Sequence, residues 1–313
     1  MPRTDAIMIE QPHRIAFHAT GLKSVEAGEA LVEIEASGIS TGTERLLFTG
    51  EMPPFPGMGY PLVPGYEAVG RVVSCEAENG PPIGGRVFVP GSHGFTEAHG
   101  LFGAQARHLV VKADRLVALP DALAGAQGTL LALAATAHHA VATSAALPDL
   151  IVGHGVLGRL CARIATLMGG TPTVWEIAAD RRAGAAGYAC IDPQADARRD
   201  YASILDVSGA SDILDTLISR SARGGEIVLA GFYKAALSFA FPPAFMRETR
   251  IRIAAEWAGS DMGAVTAMIA DGRLSLGGLL THTARPQDAA SAYRTAFEDA
   301  DCLKMMIEWD ANS

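Results

Sequence analysis

The chain has 313 residues, 49% apolar and 19% charged, enough hydrophobic material for two domains with real cores and too few charges for a disordered protein. Its 34 acidic residues outnumber 25 Lys and Arg for a formal charge of −9, with no basic run, which excludes nucleic acid as a partner because phosphate binding needs clustered cations. Asp5 and Glu10 interrupt the N-terminus, and the most apolar tract, residues 130–137, falls short of the ~20 residues of a membrane span.

In chain order, residues 1–118 are strand-like. Leu31-Val-Glu-Ile-Glu-Ala36 alternates with period two, and residues 67–73, 86–89 and 107–111 follow between Gly and Pro clusters, the pattern of a small barrel or sandwich. Residues 52–58 and 90–94 are loops. From about 121 the pattern changes. Residues 124–146 predict a helix and residues 150–152 a short buried strand. A second helix follows, with Leu157, Leu160, Cys161, Ile164 and Met168 on one face. Residues 173–177, 204–207, 226–230 and 250–254 are further strands with helical stretches between them, which implies a parallel, doubly wound sheet. Two more helices and a strand at 304–309 complete the chain. Cys75, Cys161, Cys190 and Cys302 are too far apart for a disulfide framework or a four-thiolate zinc site and read as reduced thiols of a cytoplasmic protein.

Between the strand at 150–152 and the next helix stands Gly153-His154-Gly155-Val156-Leu157-Gly158, a G-x-G-x-x-G turn. Its glycines permit a tight bend and let a pyrophosphate approach backbone N–H groups at a helix start. Eighteen residues after Gly158, Glu176 closes the second strand, where a carboxylate binds both ribose hydroxyls of an adenosine and repels the 2′-phosphate of NADP. NAD is therefore the expected cofactor. Arg181 and Arg182 lie just downstream, as solvated charges or as a cover over the adenine, with Arg181 counted among the cofactor residues.

A barrel followed by a dinucleotide domain resembles the medium-chain dehydrogenase/reductase superfamily. The motifs that carry the resemblance are Ala36-Ser-Gly-Ile-Ser40-Thr-Gly-Thr-Glu44, Pro64-Gly-Tyr66-Glu67-Ala-Val-Gly70, Gly85-Arg-Val-Phe-Val89, the Gly153–Gly158 turn and Gly224-Gly-Glu-Ile-Val-Leu-Ala-Gly231. Longer stretches, residues 40–47, 52–57, 60–73, 134–141 and 239–247, are similar to the bacteriochlorophyllide dehydrogenases of bacteriochlorophyll biosynthesis. The superfamily resemblance implies a GroES-like β-barrel catalytic domain over 1–122, a Rossmann NAD-binding domain over 123–255, and a return to the catalytic domain over 256–313. It also implies a ligand cleft between the two domains and a homodimer. Thr136 and Gly231 are carried over to the cofactor site. The closer resemblance implies oxidation of the C3 1-hydroxyethyl group of a tetrapyrrole to an acetyl group, with Phe48, Met52, Phe55, Met58 and Tyr60 able to line a flat macrocycle or to pack beneath a loop.

Zinc-using relatives take a Cys and a His from the barrel and a third ligand from the helix that follows. Here those positions hold Ser40, Tyr66 and, on a gapless alignment, Ala132. A metal rebuilt from Glu67, His93, His99, His138 or His139 lacks ligand spacing, and His138 and His139, being adjacent, are not expected to share a helix face. A metal-independent site is expected, with Tyr66 the leading proton acceptor, Glu67 orienting or polarising it, and Ser40 and Thr43 holding the substrate oxygen or relaying the proton. Two other readings remain open: a zinc-free, NADPH-dependent quinone or enone reductase, and a non-catalytic dinucleotide-binding protein.

Overall fold

The computed structural model describes residues 2–309 except 55, 121, 122 and 124. It divides into two compact units, Met1–Ala132 with Leu279–Ser313, and Leu133–Gly278. The divisions expected near 122 and 255 differ from these for identifiable reasons. The 3₁₀ turn Gly125–Leu130 packs on barrel strands. At the other end, the segment after 255 is tied into the second unit through Asp261, described below.

The first unit contains β1 (Arg3–Gln11), β2 (Arg14–Gly21), β3 (Glu29–Gly38), α1 (Thr43–Thr49), β4 (Ala68–Cys75), β5 (Arg86–Val89), β6 (His108–Lys112) and β7 (Val117–Ala118). The antiparallel hairpin β1–β2 was not separable in the sequence as two elements. The second unit contains most of α2 (Leu131–Ala142), then β8 (Leu150–Val152), α3 (Val156–Leu167), β9 (Thr173–Trp175), β10 (Ala189–Ile191) and β11 (Tyr201–Asp206). It continues with α4 (Leu214–Arg220), β12 (Ser221–Leu229), α5 (Phe241–Arg247), β13 (Arg250–Ile253) and α6 (Gly259–Ala270). The chain then re-enters the first unit with β14 (His282–Ala284), α7 (Ala289–Glu298) and β15 (Met305–Glu308).

In the first unit a seven-stranded sheet runs β14-β15-β3-β4-β5-β7, with β6 also on β3. The apolar alternation of β3 faces a core of Val32, Ile34, Val72, Val87, Leu109, Tyr293 and Ile307, where burying one aliphatic side chain contributes about 1.5–3 kcal/mol. β15 lies antiparallel to the end of β3, Met306 opposite Gly38 and Ile307 opposite Ser37. A polar chain seals this seam: Trp309 Nε1 donates to Ser37 Oγ at 2.8 Å, Ser37 Oγ to Gln105 Oε1 at 2.6 Å, and Gln105 Nε2 to the Gly38 carbonyl at 3.0 Å. Each of the three buried side chains thus has a hydrogen-bond partner. A second cluster gathers Leu46, Leu47, Met52, Leu62 and Leu101, with Phe48, Met58 and Tyr60 packed against it. Of the residues considered as a macrocycle lining, Met52 belongs to this cluster, Phe48, Met58 and Tyr60 are partly buried against it, and Phe55 lies outside the described residues.

The second unit is one parallel sheet in the order β10-β9-β8-β11-β12-β13. Numbered from β8, this is 3-2-1-4-5-6, the doubly wound order, and it reverses direction between β8 and β11 where such sheets take their ligands. Leu160, Cys161 and Ile164 of α3 are buried as expected, but Leu157 is half-buried and Met168 exposed, because Met168 is the C-cap that opens onto the turn at Gly169. The predicted helix over 124–146 is a 3₁₀ turn followed by α2. Between β9 and β10 only a 3₁₀ turn, Asp180–Arg182, replaces the expected helix.

Candidate active site

Ser40 follows the end of β3 and Tyr66 precedes β4, and strand pairing brings the two turns together. Ser40 Oγ and the Tyr66 hydroxyl are 2.8 Å apart. Thr43 also acts on the Tyr66 phenol, whose ring sits edge-on to Phe102 with centroids 5.4 Å apart. Burial, and then the charge of Glu67, push the phenol well above its ordinary range, outweighing the opposing influence of Ser40 and Thr43. Tyr66 is thus a neutral phenol across physiological pH.

Glu67 is fully buried. Its carboxylate pairs with Lys304, which is 2% exposed and lies just ahead of β15. Gly38 makes the close approach possible, since a Cβ there would collide with the Glu67 carboxylate. A second buried acid, Glu44 in the first turn of α1, accepts the Ser40 N–H at 2.8 Å and the hydroxyl of Tyr293 from α7. Burial pushes Glu44 up to about 7, with the charge of Glu67 adding and Ser40, Tyr293 and Lys304 opposing. Sequence reasoning missed Glu44, Tyr293 and Lys304 as site components. Only Glu44 left a signal, its place in the Ser40–Glu44 motif.

In the second unit Gly153 has φ +101°, a conformation that favours glycine. A Cβ at Gly158 would strike the Gly153 carbonyl, whereas one at Gly155 meets nothing within 4 Å. The middle glycine therefore borders open space at the start of α3, the arrangement a pyrophosphate requires. His154 is buried inside the turn, where its Nδ1 meets the Arg181 carbonyl at 2.7 Å and its Nε2 the Tyr188 hydroxyl at 2.8 Å. Burial lowers its pKa. Arg159, also buried, donates to the carbonyls of His154, Arg181 and Ala183. Glu176 is fixed by the N–H groups of His154, at 3.1 Å, and Ala178, at 2.9 Å, which leaves lone pairs on both oxygens for a ribose diol. Arg182 is bound to Asp192 and to the carbonyls of Glu176 and Ile177. Val156 and Leu157 begin α3, Thr136 is half-buried on α2, and Gly231 follows β12 with its N–H on the Asp206 carbonyl at 3.2 Å.

The donor chemistry around Ser40 and Tyr66 does not suit Zn²⁺. Two neutral hydroxyls replace thiolate and imidazole, and the adjacent carboxylate is committed to Lys304. His93 and His99 are exposed. His138 and His139 converge on one acceptor, contrary to the expectation from adjacency: their Nδ1 atoms lie 2.7 and 2.9 Å from the two oxygens of Asp261 in α6. A carboxylate with two oxygens can join neighbours that point about 100° apart on a helix. No group of three or more His, Cys, Asp or Glu among the described residues has the geometry to hold a metal.

Residues 26–121 match the family model described as Alcohol dehydrogenase GroES-like domain. The 2R,3R-butanediol dehydrogenase of Bacillus subtilis has the same fold, with TM-score 0.85 at 20% identity over 98% of this chain and 100% of that one. Barrel, doubly wound sheet and glycine turn together define a medium-chain dehydrogenase. The chain is 54% identical to the 2-desacetyl-2-hydroxyethyl bacteriochlorophyllide A dehydrogenase of Cereibacter sphaeroides, over 99% of this chain and 100% of that one. It is 53% identical to the protein of the same name from Rhodobacter capsulatus, over 98% of each. It belongs to that dehydrogenase family.

Proposed function

We propose that the protein oxidises the C3 1-hydroxyethyl group of a bacteriochlorophyllide to a C3 acetyl group with NAD and without zinc. The observation that carries this reading is the near-full-length identity to the two named dehydrogenases. The geometry supports the chemistry: a hydroxyl pair in the barrel, Ser40 with Tyr66, and a carboxylate, Glu176, set beside an open glycine turn.

NAD, when bound, supplies the hydride acceptor. Gly153, Gly155, Gly158 and Glu176 hold it, with His154 and Arg159 bracing the turn; Val156, Leu157, Arg181, Thr136 and Gly231 belong to the same assignment. The Glu176 carboxylate disfavours a 2′-phosphate, which supports NAD over NADP. In the barrel, Tyr66 accepts the alcohol proton as its own passes to Ser40 Oγ, which hands a proton on to water. No phenolate forms, in keeping with the raised pKa of Tyr66. Thr43 orients the phenol, and Glu67, held by Lys304, supplies fixed negative charge beside it. A cytoplasmic homodimer is part of the same proposal. No helix among the described residues is long and apolar enough to cross a membrane.

The test is incubation with 3-(1-hydroxyethyl) bacteriochlorophyllide a and NAD while absorption is recorded. A carbonyl conjugated with the macrocycle moves the long-wavelength band to the red as NADH appears. NAD-bound protein that produces neither change would refute the assignment.

A further inference from the structure

The turn that presents Ser40 and Thr43 to Tyr66 is closed from both sides by one residue. The Glu44 N–H donates to the Ser40 carbonyl at 3.1 Å, and the Glu44 carboxyl accepts the Ser40 N–H at 2.8 Å. Both hydroxyls that act on Tyr66 therefore lie inside a loop that Glu44 fastens. Glu44 has no exposed surface, so no solvent molecule is at hand to replace it as acceptor. Its second oxygen is held by the hydroxyl of Tyr293, itself buried on α7, with its ring edge-on to Phe297 at 5.7 Å.

The surroundings make Tyr293 more than a space-filler. The charged and titratable groups that act on Glu44 are Glu67, an acid that repels it, Lys304, a cation that attracts it, and Tyr293. Glu44 also acts on the phenol of Tyr66. Tyr293 donates to the oxygen of Glu44 that the Ser40 N–H does not use, so removing that donor leaves the carboxyl oriented by the turn it is meant to fix and by nothing outside it.

We propose that Glu44 is a positioning residue for the oxidation proposed above, anchored by Tyr293, and that together they set the Ser40 turn so that its hydroxyl stays within hydrogen-bond reach of Tyr66. The activity arm rests on the proposed reaction; the geometric arm does not. A reacting group displaced by about 1 Å costs roughly 10²-fold in rate, so a positioning role predicts loss of kcat with little change in KM.

The experiment compares Glu44→Ala, Glu44→Gln and Tyr293→Phe. Tyr293→Phe keeps the ring and removes only the donor, and Glu44→Gln keeps an acceptor for the Ser40 N–H. Crystal structures of each give the Ser40–Tyr66 hydroxyl separation, 2.8 Å in the native protein, and steady-state kinetics give kcat and KM. NADH binding to the second unit checks folding. The expected result is that Glu44→Ala and Tyr293→Phe part the hydroxyls beyond hydrogen-bond distance and lose about 10–100-fold in kcat at unchanged KM, while Glu44→Gln recovers most of the rate. Hydroxyls that stay together in Tyr293→Phe, or a kcat loss that Glu44→Gln does not recover, would overturn the proposal. If the native protein does not oxidise the tetrapyrrole, the proposed function fails, and the crystallographic separation alone still decides the positioning role.

Discussion

Lys304→Met tests the buried ion pair of the barrel. Lys304 and Glu67 are 2% and 0% exposed, so neither charge recovers water when the other is removed. Methionine keeps most of the lysine stem and fills the same volume, which confines the perturbation to the lost ammonium. Gly38 backs directly onto the carboxylate, which closes one side of its surroundings. Removing one partner of such a pair costs about 3–5 kcal/mol, whereas replacing both with apolar residues of similar size is often neutral or stabilising. At about 2–4 °C per kcal/mol for a unit of this size, the single variant melts roughly 6–20 °C lower, a large share of a stability that totals about 5–15 kcal/mol. The assay is urea denaturation and calorimetry on Lys304→Met, Glu67→Leu and the double variant, with the second unit monitored separately by NADH binding. The double variant should lie within about 1 kcal/mol of native. A Lys304→Met protein as stable as the double variant would refute the reasoning, since Glu67 would then not depend on Lys304.

Glu176→Ala should weaken NAD by about 1–3 kcal/mol and shift preference toward NADP, read by titration with both reduced nucleotides; an unmoved ratio removes Glu176 from the ribose. Tyr66→Phe should lower turnover by about 10²–10⁴-fold while NADH affinity is kept, and a full rate would move the proton to another group. Chelators should leave the rate unchanged, and stoichiometric zinc whose removal abolishes activity would contradict the metal-independent reading. Folding raises the Glu44 carboxyl from 4.5 to about 7, so the native state holds a proton that the unfolded chain has released between those values. Stability from this source is full below pH 4.5 and falls away as pH rises to 7. Unfolding measured from pH 4.5 to 8 should show native protein losing ground to Glu44→Gln across that window, and parallel curves would show that Glu44 does not titrate there.

The dinucleotide half was legible because its parts are local. A strand, three glycines, a helix and an acid stand within about thirty residues, and one backbone requirement, the tight bend at Gly153, fixes the order. The barrel hydroxyls were legible as positions, through motifs around Ser40 and Tyr66, but their supports were not. Glu67 meets Lys304 and Glu44 meets Tyr293 only because β15 pairs with β3 and α7 packs below it. No periodicity in a sequence reports which distant lysine reaches a buried acid. The His138–Asp261–His139 junction failed for a related reason: helical spacing says where side chains start, not what they reach.

Because residues Leu279–Ser313 complete the first unit after the whole of Leu133–Gly278 has intervened, the ribosome releases this protein with its halves in inverted order of readiness. The doubly wound sheet is contiguous and can close as soon as it emerges. The barrel that precedes it must wait for the last stretch of chain, holding Glu44 and Glu67 without Tyr293 and Lys304 throughout that interval. A chain cut between Gly278 and Lys304 would therefore leave the doubly wound sheet attached to an unfinished barrel whose Glu67 lacks its cation. Quality control reading exposed barrel strands has a clear mark by which to tell such a chain from a finished one.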